Sequence, residues 1–360
     1  MSFSNPLLSR LGITLPIIQA PMAGVSTPAM AAAVSNAGGL GSLGVGATNA
    51  AGARKVIRET RALTDKPFNI NLFCHPPAVA DAAAERAWLD YLASDFAKWG
   101  AEPPTRLAEI YKSFVVDEEM LEMLLEEKPA VVSLHFGLPR REWLDRLRAA
   151  GIYLMASATN VEEARLIEAA GVDAIVAQGV EAGGHRGMFD LSAVDEGLGT
   201  LALVRLLVKN TKLPVIAAGG IMDGAGIAAA LALGAQAAQL GTAFVTTTES
   251  AADAAYRNAL LSGTPFRTAF TSSISGRAAR GIHNRLMALG EAADHPRVPD
   301  YPIAYDAGKS LHAAAKAKGS AAYAAQWSGQ AGSLARAMSS AELVATLVSE
   351  LEETIKSLRG

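Results

Sequence analysis

Eight short apolar runs, most of them followed by a stretch of helical spacing, recur over the first 248 residues. They occupy residues 16–20, 40–44, 67–73, 130–134, 152–156, 172–176, 214–218 and 235–240. Runs this short, bounded by Gly, Pro and polar turn residues, read as buried strands. The helices between them carry start and stop signals. Thr27 with Pro28 opens the first, and Gly38-Gly39 stops it. Others are expected near 50–63, up to 150, near 200–209, and from the cap Asp223 to Gly234. Thr159 with Glu162 reads as a capping box for a helix ending at Gly171. Two stretches break the alternation. From 75 to about 128 the chain is too long for a strand-to-helix loop, and within it 81–99 is helical until Glu102-Pro103-Pro104. After Thr248 the pattern is irregular, helical near 310–318 and again over 340–359.

The expected fold is therefore α/β, a (β/α)8 TIM barrel over 1–248. An insertion of about 75–128 follows strand three, and a C-terminal substrate or lid lobe, 249–360, covers the barrel mouth. Half of the 360 residues are hydrophobic and 19% are charged, enough for a large core and against disorder. The net charge of −3, with no basic cluster, gives no reason to expect a nucleic acid or an anionic membrane as partner. Cys74 is the only cysteine, which excludes an internal disulfide and a Cys-rich zinc site, and no metal is expected. It is a redox nucleophile or a small buried filler, and its place after an apolar strand favours the filler. The charge-free run 226–248 has the length of a membrane span, but its Gly, Gln and Thr content and the break at Gly234 favour a helix followed by a strand. Residues 1–6 lack the basic start and apolar core of a signal peptide, so a cytoplasmic protein is expected.

Chemistry concentrates after the strands' C-terminal ends, the active face of such a barrel. The sixth strand runs into Gln178-Gly179-Val180-Glu181-Ala182-Gly183-Gly184-His185-Arg186-Gly187. Gly183 and Gly184 would let backbone amides approach a planar or anionic ligand, and His185 titrates nearest neutrality. A polar surface turn with a solvated His is the plain alternative. Gly219-Gly220 and Gly241-Thr242 end the seventh and eighth strands, where barrels of this kind hold phosphate, so a phosphate-bearing cofactor is expected. Asn71, inside an apolar strand, either bonds neighbouring backbone or faces a ligand.

Taken with Gln19-Ala20-Pro21-Met22-Ala23-Gly24, Asn71-Leu72-Phe73-Cys74-His75, Ser133-Leu134-His135-Phe136-Gly137, Ala217 through Asp223 and Gly241-Thr242-Ala243-Phe244, the chain resembles the nitronate monooxygenases. These enzymes, once called 2-nitropropane dioxygenases, are FMN-dependent barrels. The resemblance is strong to a bacterial NADH:quinone reductase branch and more distant to the FMN-dependent enoyl-acyl-carrier-protein reductases. It implies that Ala20, Pro21 and Met22 line the flavin ring and that Asn71 and Gln178 bond its polar edge. Gly183, Gly184, Gly219, Gly220, Gln239, Leu240, Gly241 and Thr242 would hold its phosphate. His185 would be the catalytic residue, holding an anion if protonated or donating a hydrogen bond. Tyr111, His135, Tyr301, Tyr305, Lys309 and Trp327 are substrate-pocket candidates. The implied activity is oxidation of alkyl nitronates, such as propionate 3-nitronate, by O2 to a carbonyl compound and nitrite. The alternatives are NADH:quinone reduction at the same FMN, enoyl reduction, or a non-redox phosphate-binding barrel. No Gly-x-Gly-x-x-Gly opens a helix after a strand, although a nicotinamide could bind directly over the flavin.

Overall fold

The computed structural model describes residues 3–264 and 266–358, so Met1, Ser2 and the Arg359 end of the expected C-terminal helix lie outside it. Its strands in chain order are β1 (Ile17–Gln19), β2 (Gly41–Gly44), β3 (Phe68–Phe73), β4 (Val131–His135), β5 (Tyr153–Ala158), β6 (Ala174–Gln178), β7 (Gly184–His185), β8 (Val215–Ala218), β9 (Ala237–Leu240), β10 (Thr268–Thr271) and β11 (Ala279–Ile282). Eight of them form one parallel sheet in the order β1-β9-β8-β6-β5-β4-β3-β2. The sheet curls back on itself where Leu40, just before β2, bridges Ile18. Leu40 N donates to Ile17 O at 3.0 Å, and Gln19 N donates to Leu40 O at 2.9 Å. These are the eight strands expected from the apolar runs, in a (β/α)8 barrel. Burial of both faces explains why most of those runs are continuous rather than alternating; β3, with buried Asn69 and Asn71, is an exception.

The helix starts follow local chemistry. Thr27 accepts from Met30 N and Asp223 from Gly226 N, as expected. The box at Thr159 is displaced by one residue. Strand β5 extends to Ala158, so Asn160 becomes the cap, accepting from Glu163 N at 2.9 Å, and the Glu163 carboxylate reaches back to the Thr159 amide and hydroxyl. The C-terminal helix Ser340–Ser357 carries a complete capping box, Ser339 with Glu342. It packs between the helices Gly224–Ala232 and Pro28–Asn36 and so fills the ring position of a helix following β9. The helix Glu118–Glu127 likewise lies in the ring, beside Ala50–Arg61 and Arg141–Ala149.

The remaining parts of the two irregular segments form one body over the barrel mouth. Trp88, Leu89, Leu92 and Phe96 share a buried cluster with Leu286, Met287, Ile303 and Leu311. Buried Asp95 ties the same parts together through the Tyr323 hydroxyl at 2.6 Å and Arg285 at 3.2 Å. A second, antiparallel sheet, β10-β11-β7, joins this body to the loop after β6. The run 226–248 divides into helix, β9 and the short helix Thr242–Val245. No helix among the described residues is long and apolar enough to cross a membrane.

Candidate active site

A cavity of about 960 Å³ opens at the C-terminal ends of the barrel strands. Ala20, Pro21 and Met22 after β1, Asn71 of β3, His135 of β4 and Gln178 of β6 line it. So do Gly183, Gly184, His185, Gly219, Gly220, Gln239, Gly241 and Thr242. The covering body adds Tyr111, Tyr301, Tyr305, Lys309 and Trp327. Leu240 is the one expected site residue outside this wall. Its side chain belongs to the barrel core, and its carbonyl accepts from Ala20 N at 2.8 Å.

The cavity floor is shaped by backbone. Gly219 and Gly220 sit at φ +121° and +69°, in the region that favours glycine. Among the described residues, the amides of Gly220, Gly241 and Thr242 have no hydrogen-bond acceptor. Buried Gln19 moulds the loop after β1: its Oε1 accepts from Ser42 N, and its Nε2 donates to Ser26 Oγ, which in turn accepts from Met22 N. Asn71 answers both halves of the either/or left by the sequence. Its Nδ2 donates to Ser133 Oγ at 3.0 Å, and among the described residues its Oδ1 has no partner, on a residue that lines the cavity.

The polar stretch after β6 is largely a folding device. Glu181 accepts from the Thr200 amide at 2.9 Å and hydroxyl at 2.8 Å, capping a helix whose own N-cap, Gly199, has no side chain. Arg186, 2% exposed, pairs with Asp195 at 2.8 Å and donates to Gln178 O. Gln178 spends its amide on the loop, donating to His185 O at 2.9 Å and accepting from Gly187 N at 2.7 Å. A Cβ on Gly187 would stand 2.9 Å from the His135 ring, and one on Gly183 would stand 2.5 Å from Gly329 N. Gly184, at φ +79°, is the opposite case: nothing lies within 4 Å of its missing Cβ.

His135 also supports this loop. Its Nε2 donates to His185 O at 3.1 Å, so its Nδ1 accepts from Ser157 Oγ at 2.9 Å. Neither ring nitrogen is left for a substrate. The His185 ring lies among Phe136, Tyr301, Tyr305 and Trp327, with Nε2 2.9 Å from Ser275 Oγ. Ser275 gives its one hydroxyl proton to Arg277 O at 3.1 Å. Its oxygen therefore accepts from His185, which fixes the proton on Nε2 and leaves Nδ1 bare.

Burial, and next the charge of Arg277, push His185 down to about 3. Burial likewise lowers His135 and His75 to about 4. A protonated His185 is thus ruled out near neutrality, and its Nε2 proton is engaged by Ser275. The expected hydrogen bond from His185 to an anion does not fit this arrangement. Lys309 is the better cation. It makes no ion pair among the described residues, stacks on the Tyr111 and Tyr305 rings at 4.8 and 5.2 Å, and is held below the usual lysine range by burial. Tyr301, 5% exposed, leaves its hydroxyl without a partner. Cys74 is a buried filler whose thiol is pushed up by desolvation. Ser275, Arg277, Ser157 and Gln19 were not singled out from the sequence. The first two reach His185 only through the pairing of β7 with β11, which no local pattern announces.

A sequence profile described as nitronate monooxygenase matches residues 4–350. A protein named nitronate monooxygenase from Paraburkholderia phytofirmans is 67% identical, over 98% of this chain and 96% of its own length. One of the same name from Pseudomonas aeruginosa is 60% identical, over 95% and 97%. Among solved structures, nitroalkane oxidase from Streptomyces ansochromogenes superposes with a TM-score of 0.89 at 42% identity, covering 98% of this chain and 99% of its own. FabK from Thermotoga maritima superposes at 0.75 with 28% identity, covering 100% and 99%.

Proposed function

The chain belongs to the nitronate monooxygenase family, and we propose from that premise that it oxidises alkyl nitronates such as propionate 3-nitronate with O2, releasing a carbonyl compound and nitrite, with FMN held in the barrel cavity. The observation that carries this reading is one cavity with unpaired backbone amides at the ends of β8 and β9 and an unpaired ammonium, Lys309, on its covering wall. The amides of Gly220, Gly241 and Thr242 suit a phosphate monoester, because a nest of N–H groups binds an anion without a side-chain charge. The fit is to a mononucleotide, and no second dinucleotide-binding motif is present for an adenosine half. Bound there, FMN supplies the electron acceptor.

The chain's own residues do the rest. Ala20, Pro21 and Met22 would give its ring an apolar wall that leaves room for O2, and Asn71 Oδ1 would be free to accept a hydrogen bond from its polar edge. Lys309, with the hydroxyls of Tyr111, Tyr301 and Tyr305, holds the anionic substrate through charge-assisted contacts. His185 Nδ1 is a neutral acceptor that removes a carbon proton only when the substrate arrives as a neutral nitroalkane. Gln178 and His135 position His185 by gripping its carbonyl.

Denaturing the purified yellow protein is expected to release FMN. Released FAD, or a colourless protein unchanged by added FMN, contradicts the reading. Lys309 faces a second test. Lys309→Met is expected to lower kcat/KM for propionate 3-nitronate by about 10- to 100-fold, the loss of one bond between charged partners. The loss for ethyl nitronate, which lacks the carboxylate, is expected to be several-fold smaller. Steady-state kinetics at matched flavin occupancy checks both.

A further inference from the structure

Arg277 is 1% exposed and lies outside the cavity wall. Among the described residues it forms no salt bridge, and the carboxylate whose charge it feels, Glu163, lies beyond direct contact. Its guanidinium sits 4.0 Å over the Phe136 ring and donates to Met188 O, and its Nε has no partner. A buried cation without a direct ion pair is costly, and such groups persist where the charge is used. Phe136 is itself unusual, a non-glycine residue at φ +77° that is 1% exposed, and strained backbone of this kind collects at functional sites. His185 packs on the same residue, its ring meeting Phe136 edge-on at 5.7 Å. The carbonyl of Arg277 also orients Ser275, the partner of His185 Nε2.

We propose that Arg277 is a positioning residue that sets substrate choice: its buried charge, packed on the same Phe136 ring as His185, adds to burial in opposing a proton on His185, so the site favours a substrate that arrives already ionised. The titratable groups around His185 are His135 from β4, His75 after β3, Tyr301 and Tyr305 from the covering body, and Arg277. The histidines and tyrosines are neutral at pH 7, because burial lowers the former and raises the latter. Lys309 stacks on the rings of Tyr111 and Tyr305. Burial does most to oppose protonation of His185, and the cationic charge that adds to it is that of Arg277. A neutral nitroalkane must give its carbon proton to Nδ1 and form an imidazolium facing that charge. A nitronate needs no such transfer, and its own negative charge is attracted by the same guanidinium. The inference rests on the cavity being the reaction site, but its first test does not.

The full flavin-bound chain, labelled with ¹⁵N in its histidine rings, is titrated by NMR, with His185→Asn identifying the His185 signals. In the wild type His185 is expected to remain an Nε2–H imidazole down to pH 5. In Arg277→Met its midpoint is expected to rise by about one pH unit, the effect of a unit charge at about 8–10 Å in an effective dielectric near 20. Arg277→Lys is expected to keep the wild-type midpoint, and Arg277→Gln, which can still reach Met188 O, to behave as Met does should that variant fail to fold. Ser275→Ala is expected to give a mixture of the two neutral tautomers. In the second measurement, the ratio of kcat/KM for a neutral nitroalkane to that for its nitronate rises at least about threefold in the uncharged variants and not in Arg277→Lys. An unchanged His185 midpoint in both uncharged variants, or an Arg277→Lys variant that behaves as they do, overturns the proposal. A shifted midpoint in a chain that oxidises no nitronate sustains the electrostatics and removes the proposed function instead.

Discussion

His185→Asn is expected to lower kcat/KM for a neutral nitroalkane by about 10²–10⁴-fold, the usual contribution of a positioned general base. For the matching nitronate the expected loss is less than about tenfold. The asymmetry follows from where the imidazole proton lies. Ser275 holds it on Nε2, so the lone pair on Nδ1 is the only function His185 offers the cavity. That lone pair takes a proton from a nitroalkane and has none to take from a nitronate. The neutral state also fixes the pH dependence. With His185 lowered to about 3, the base stays unprotonated from about pH 5 upward, so activity on nitroalkanes has no acid limb from this residue near neutrality. Measuring both substrates in the variant at equal flavin content decides the point. Equal losses on the two would return His185 to a binding role.

Gly241→Val is expected to abolish flavin retention, with apparent FMN affinity reduced by at least about 100-fold, while the chain stays folded. The backbone at Gly241 has φ −104°, which a valine can adopt. A Cβ there meets Ala20 Cβ at 3.5 Å and Met22 Sδ at 3.8 Å, ordinary contacts, so the barrel need not move. The added methyl groups would cover the amides of Gly241 and Thr242 that the phosphate is proposed to use. Gly183→Val behaves differently. Its Cβ would press on the backbone at Ser328 and Gly329, which cannot give way like a flexible side chain, so this variant should lose stability by about 1–3 kcal/mol or more. Were the Gly183 loop the polar surface turn that the sequence also allows, the two variants would behave alike. Thermal denaturation with flavin release separates them: Gly241→Val melts near the wild type without flavin, and Gly183→Val melts earlier.

The barrel was legible because parallel strands covered on both faces are largely continuous apolar runs, and β6 and β8 say so in their residues. The glycines ending β8 and β9 were legible as breaks after an apolar run, and Gly219 and Gly220 take the positive φ that favours glycine. What failed to show was tertiary. Strand β7 is two residues, Gly184 and His185, and exists only because β11 lies beside it. Glu181, Gln178 and Arg186 looked like site chemistry on a loop with little packing reason for them, yet Glu181 caps a helix and the other two tie the loop down. The converse error is Arg277, an ordinary-looking arginine 92 positions beyond His185. The C-terminal helix was expected as an element, but its place in the barrel ring depends on the distant faces of Pro28–Asn36 and Gly224–Ala232.

A flavin in this cavity is expected to take electrons from a nitronate. Anaerobic mixing of the FMN-loaded protein with propionate 3-nitronate, and separately with NADH, tests it while the visible flavin absorbance is followed. Rapid loss of the oxidised-flavin spectrum with the nitronate, and little change with NADH, is the predicted result. Rapid reduction by NADH with none by the nitronate would contradict it.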